Sequence, residues 1–161
     1  MASWLCKCKR WLLKGVLIGL HPPLKAQKPP EYVGRLGVEE VFRPPYENWF
    51  KVPDPPVRPA DSVAHHKGQG LRAIIVLGTW CDDSHVVVPQ VLDYLTHLAD
   101  MADLELYAVG RDKNCSHCPK GVKPERVPWV VLFRGEEELC QFQEYPPGGV
   151  KVFLDRCLSK R

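Results

Sequence analysis

Cys81 is the residue in this sequence best placed to do chemistry. The stretch Gly78–Pro89, GTWCDDSHVVVP, sets a Trp80–Cys81 pair after an apolar run and at the start of a helix-forming segment. Backbone N–H groups and the dipole at a helix start stabilise an anion, and the thiolate is the nucleophilic form of cysteine. A dithiol centre would carry a second cysteine three residues on, where this chain has Ser84. No disulfide can form across the motif, so an adduct on Cys81 needs some other thiol to release it. Ser84 can hydrogen-bond the sulfur but cannot resolve such an adduct. Asp82 and Asp83 suit the helix dipole yet oppose a second anion beside them. His85, one turn on, offsets part of that repulsion when protonated. The competing reading of Cys81 is a small buried apolar residue.

The elements that must hold this motif follow from the hydrophobic pattern. LRAIIVLG, from Leu71 to Gly78, is a short continuous apolar run of the kind that forms a strand buried on both faces. Ser84 to Met101 carries Val87, Val88, Val91, Leu92, Leu95 and Leu98 at helical spacing. LELYAVG and VPWVVLFR read as two further strands, ELCQFQEY as a hairpin partner after the RGEE turn, and Val150–Leu158 as a closing helix. A right-handed crossover makes the first two strands parallel neighbours, and a tight turn makes the last two antiparallel. The class is α/β, with a central mixed sheet flanked by helices. Ligands of such sheets gather beyond the carboxyl ends of the parallel strands, where Cys81 falls.

The loop after the second parallel strand ends at the same side of the sheet and contains NCSHC, with Cys115 and Cys118. The pair admits several readings: a resolving thiol for Cys81, a disulfide of its own, or two idle loop cysteines. With His117, and with Cys81 or His85 as a fourth ligand, it would instead hold zinc. Cys140 in the alternating strand and Cys157 on the apolar helix face are expected to be packing residues. His65–His66 reads as a solvated loop. There is no glycine-rich phosphate loop, and Ser84 lacks the flanking glycines of a hydrolase elbow. Neither a cofactor nor a resident metal is expected.

With 161 residues the chain has room for one domain plus extensions. The formal net charge of +3 owes much to Lys7, Lys9, Arg10 and Lys14, too mild and too local for a nucleic-acid binder. No apolar stretch approaches the roughly 20 residues of a membrane span. Residues 1–26 follow the order of a signal peptide, basic, then WLLKGVLIGL, then a small residue at Ala26, although Lys14 interrupts the apolar part. The alternative is a basic tail. The first reading makes the protein periplasmic or secreted and the second cytoplasmic. Residues 27–70 are rich in proline, which disfavours long regular elements, yet carry Tyr32, Phe42, Tyr46, Trp49 and Phe50. Those aromatics predict a proline-rich N-terminal arm lying over a domain formed by residues 71–161. The seven cysteines are odd in number and too scattered for a small disulfide scaffold.

Trp80–Cys81 after a buried strand, Pro89 eight residues beyond the cysteine, and Val127–Pro128 before a strand and hairpin occur in one order. This joint pattern resembles the thioredoxin superfamily, in particular bacterial thioredoxin-like proteins with a GTWC-x-DS signature. The resemblance runs from about Leu71 to the C-terminus. It implies a thioredoxin-like fold, Cys81 as the attacking cysteine, Pro89 as a kink in the active-site helix, and Pro128 as a cis-proline facing Cys81, with Trp80, Asp82, Asp83 and His85 in support. The implied activity is thiol–disulfide exchange through a monothiol centre, Cys81 to Ser84, on protein or small-molecule disulfides and thiols. Three departures stand out. Ser84 replaces the resolving cysteine, Ile75 stands where many thioredoxins carry a buried acid, and Trp129 after the proline is expected to crowd the groove. Two readings of another class remain beside it: a non-catalytic module that binds a partner peptide at the Pro128 groove, and a zinc-stabilised structural domain. Oligomeric state is not legible.

Overall fold

In a computed structural model, which describes residues 28–64, 70–98, 103–120 and 122–159, five strands form one mixed sheet. The strands are β1 (Gly34–Leu36), β2 (Leu71–Leu77), β3 (Asp103–Ala108), β4 (Trp129–Arg134) and β5 (Glu137–Gln143), in the order β1-β3-β2-β4-β5. The helices are α1 (Asp61–Ala64), α2 (Asp82–Thr96) and α3 (Val150–Leu158), with a 3-10 turn at Glu40–Phe42. The parallel β2–β3 pair and the antiparallel β4–β5 pair have the predicted relations. The predicted helix from Ser84 begins two residues earlier, because Cys81 is extended at φ −97° and ψ 123° and its carbonyl accepts the first helical bond from His85 N–H at 3.2 Å. No helix of the described residues is long and apolar enough to cross a membrane. The segments 1–26 and His65–His66 lie outside the described residues.

β2 is central because its sequence is apolar on both faces. Ala73, Ile75 and Leu77 face the larger core with α2, α3 and Leu106, Ala108, Val130 and Leu132. Ile75 is fully buried between Leu106 and Val130. Ile74 and Val76 face the other way, against Tyr107, Val109 and Val127, and this second cluster is covered by the loop that joins β3 to β4. Arg72 avoids burying its charge: its guanidinium lies 4.7 Å from the Phe133 ring centre and 3.4 Å from Glu105.

Residues 28–60 make short elements only, as their prolines require. β1 pairs antiparallel with β3, and Val41, Tyr46 and Phe50 are buried in the larger core. Two backbone N–H groups that the prolines leave without a ladder are satisfied by helix carboxylates. Val57 N–H donates to Asp93 at 2.6 Å and Ala60 N–H to Asp155 at 2.9 Å. Asp155 also accepts from the buried Tyr94 hydroxyl at 2.7 Å and from Lys151 at 2.5 Å. Burial pushes its carboxyl up, but these donors together outweigh burial and hold it below the ordinary aspartate range. The same burial, followed by the bond to Asp155, drives the Tyr94 phenol far upward.

A carboxyl held low in the folded state stabilises it above the unfolded-state value of about 3.9, and that contribution is lost as pH falls through the folded-state value. Asp155→Ala leaves the Tyr94 hydroxyl and the Ala60 N–H without their acceptor, at a cost of about 1–3 kcal/mol near pH 7. Urea unfolding should show this gap from wild type narrowing toward pH 3. A gap constant with pH would mean that the ionised carboxylate contributes nothing.

Candidate functional site

The turn Gly78–Cys81 leaves β2 and enters α2 with nearly every polar group engaged. Gly78 N–H donates to Ser84 Oγ at 3.2 Å, and Gly78 O accepts Cys81 N–H at 3.0 Å. Thr79 Oγ1 donates to Pro30 O at 2.9 Å and accepts Tyr32 N–H at 3.1 Å. The Thr79 carbonyl takes the His85 Nε2–H at 2.7 Å. Trp80 Nε1–H donates to Val109 O at 3.0 Å, and the Arg111 guanidinium lies 4.9 Å from the Trp80 ring centre. Gly78 is required by this packing, because a Cβ there would stand 2.8 Å from the Trp80 indole.

Cys81 caps α2 with its backbone and leaves its thiol half-exposed, donating to Val127 O at 3.3 Å. That carbonyl belongs to the Val127–Pro128 peptide, which is cis. The thiol opens on a groove of about 260 Å³ lined by Trp80, Asp83, Lys113, Arg126, Val127 and Glu144. Arg126 pairs with Glu144 at 2.8 Å, so the groove carries both signs of charge. Cys81, the backbone at Val127 and the Trp80 indole thus border one opening.

The other predicted residues fall as follows. Ser84 is fully buried, and its hydroxyl accepts Gly78 N–H, so it shapes the turn. His85 is held between the rings of Trp49 and Phe50, at 5.6 and 4.9 Å between centres, with its Nε2 on Thr79 O. The Asp82 side chain is fully exposed, 3.9 Å from His85 Nδ1, while Asp83 borders the groove. Pro89 sits buried inside α2. Trp129 is not among the groove residues; its indole donates to Gln141 at 2.8 Å across the hairpin. Thr79, Arg111, Lys113 and Arg126 were not singled out by the sequence. Thr79 stands inside GTWC, but its tie to Pro30 and Tyr32 spans more than forty residues and has no local signature.

The remaining described cysteines are paired. Cys115 and Cys118 form a disulfide within the β3–β4 loop, with Cα atoms 5.2 Å apart. Cys140 and Cys157 form a second one, 6.0 Å between Cα atoms, joining β5 to α3. The expectation that these two only pack is thus corrected. Leu132 pairs with Cys140 and Phe133 with Glu138, so Leu139 is an extra, bulged residue. Cys140 alternates in register with Phe142, opposite Leu132 and Val130, and so lies on the core face that holds Cys157. Cys81 is the free thiol among the described residues.

Ser84→Ala removes the acceptor of a buried N–H and is expected to cost about 1–3 kcal/mol. Ser84→Thr, which retains the acceptor, separates that loss from crowding. Thermal unfolding of the two variants checks it, and an unchanged alanine variant would show that the bond contributes nothing. No protein-family model matches the sequence, and no curated protein matches it.

Proposed function

We propose that the protein is a thioredoxin-like thiol–disulfide oxidoreductase that works through Cys81 alone. The observation that carries this reading is the placement of a free, half-exposed thiol at the start of α2, 3.3 Å from Val127 O beside a cis-proline. The strand order and the charged groove support it. In the reaction, the Cys81 thiolate attacks one sulfur of a disulfide and the other sulfur leaves as a thiolate. An external thiolate then attacks the adduct, forms a new disulfide with the bound half, and returns Cys81 as a thiolate. Electrons and sulfurs balance, and the external thiol is the reductant. With Cys115 and Cys118 joined to each other, neither offers a thiol to the adduct.

Turnover should therefore require an added thiol. Reduction of a peptide carrying a small-thiol mixed disulfide is expected to rise in proportion to added thiol until attack by Cys81 on the substrate disulfide limits the rate. Cys115→Ser/Cys118→Ser should keep the same rate. Complete turnover without added thiol, lost in the double variant, would overturn the external step.

A further inference from the structure

We infer that Cys115, His117 and Cys118 are a redox-gated zinc site, closed as a disulfide and opened to the metal by reduction. This does not rest on the reading of Cys81. The three side chains offer two sulfurs and an imidazole nitrogen that all lie within 4.8 Å of one another, and all three are half-buried. A disulfide alone needs no histidine between its cysteines, yet His117 is turned inward. Its Nε2 lies 3.7 Å from Cys115 Sγ and 3.1 Å from Ala108 O. A tetrahedral zinc with Zn–S of about 2.3 Å and Zn–N of about 2.0–2.1 Å sets its sulfur and nitrogen ligands about 3.6 Å apart. The His117 imidazole and the Cys115 sulfur thus already stand at the edge length of a zinc tetrahedron. The other disulfide, Cys140–Cys157, is not part of any such cluster among the described residues.

The loop is braced for this role by the sheet. Cys118 N–H donates to Cys115 O at 3.3 Å, forming the tight turn that points both sulfurs the same way. Cys115 and Cys118 pack on the apolar cluster of Ile74, Val76, Tyr107, Val109 and Val127, which limits water around the ligands. A dithiol reductant supplies two electrons and two protons, opening the disulfide to two thiols and becoming a disulfide itself. Zinc then displaces both thiol protons to bind two thiolates. His117 ligates through Nε2 with its proton on Nδ1, giving up Ala108 O. The two thiolates cancel the charge of the ion, and the fourth position is left to water or an incoming ligand. Soft sulfur donors with one imidazole suit zinc among the common divalent ions.

The test uses the full chain with Cys6→Ser and Cys8→Ser in every sample, so that the C-x-C near the N-terminus contributes no metal ligands. Samples are reduced or left oxidised, freed of reductant, and titrated with zinc against a chromophoric chelator. The expected result is one zinc bound per reduced chain and none per oxidised chain. Cys115→Ser/Cys118→Ser should lose it, and His117→Ala should weaken it by roughly tenfold or more. Cobalt in place of zinc should give a thiolate charge-transfer band that the double variant lacks. Circular dichroism establishes that the variants are folded. Equal zinc uptake by reduced and oxidised protein, or uptake retained in the folded double variant, would overturn the inference.

Discussion

Cys81→Ser is expected to reduce disulfide-exchange turnover to the uncatalysed rate while leaving the fold intact. Serine presents a hydroxyl that does not ionise near neutral pH, and disulfide exchange proceeds through the thiolate. The substitution removes one half-exposed sulfur whose side-chain bond is to Val127 O, and a serine hydroxyl can donate to the same carbonyl. Its effect on stability should stay within about 0.5 kcal/mol. A rate assay with a small mixed disulfide and excess thiol, run beside thermal unfolding, reads both quantities. Activity retained in the folded serine variant would move the chemistry away from Cys81.

Phe50→Ala should be the most destabilising of the substitutions considered, at about 3–5 kcal/mol. Phe50 comes from the proline-rich segment, yet it is 1% exposed and meets the edge of His85 at 4.9 Å between ring centres. Deleting the ring opens a cavity between that segment and α2 and removes one wall of the slot that holds His85. Because His85 holds the Thr79 carbonyl, the loss reaches the turn that presents Cys81. The urea midpoint should fall without change of slope, as expected of one cooperative unit. A loss below about 1 kcal/mol would mean that residues 28–60 do not fold cooperatively with the sheet.

The central elements were legible because their patterns are strong. LRAIIVL has no polar face to present to water, and the apolar spacing of Val87, Val88, Val91, Leu92 and Leu95 admits only a helix. Cys81 stands at the helix start, as expected, while the apolar spacing alone begins the helix at Ser84 because Asp82 and Asp83 carry no apolar signal. Cys81 was legible through its position at the strand–helix junction. Its surroundings were not. Ser84 looked like a partner for sulfur, but the nearest unsatisfied donor is the backbone N–H of Gly78, and burial assigns the hydroxyl there. His85 reads as a neighbour of the thiol, but its ring packs between Trp49 and Phe50 and its Nε2 is held by the Thr79 carbonyl. The apolar faces of β5 and α3 place Cys140 and Cys157 in the core, but periodicity does not say that the two meet closely enough to form a disulfide. Each of these contacts joins residues through tertiary packing, which periodicity does not encode.

The most direct test of the proposed chemistry is peptide-mapped mass spectrometry of the full chain, acid-quenched at short times after mixing with a small symmetric disulfide. The reading predicts a single half-disulfide adduct between residues 28 and 159, on Cys81, with Cys115–Cys118 and Cys140–Cys157 still joined, and its removal on adding a small thiol. Cys81 left unmodified while the folded protein is exposed to the disulfide would contradict a nucleophilic role for this thiol.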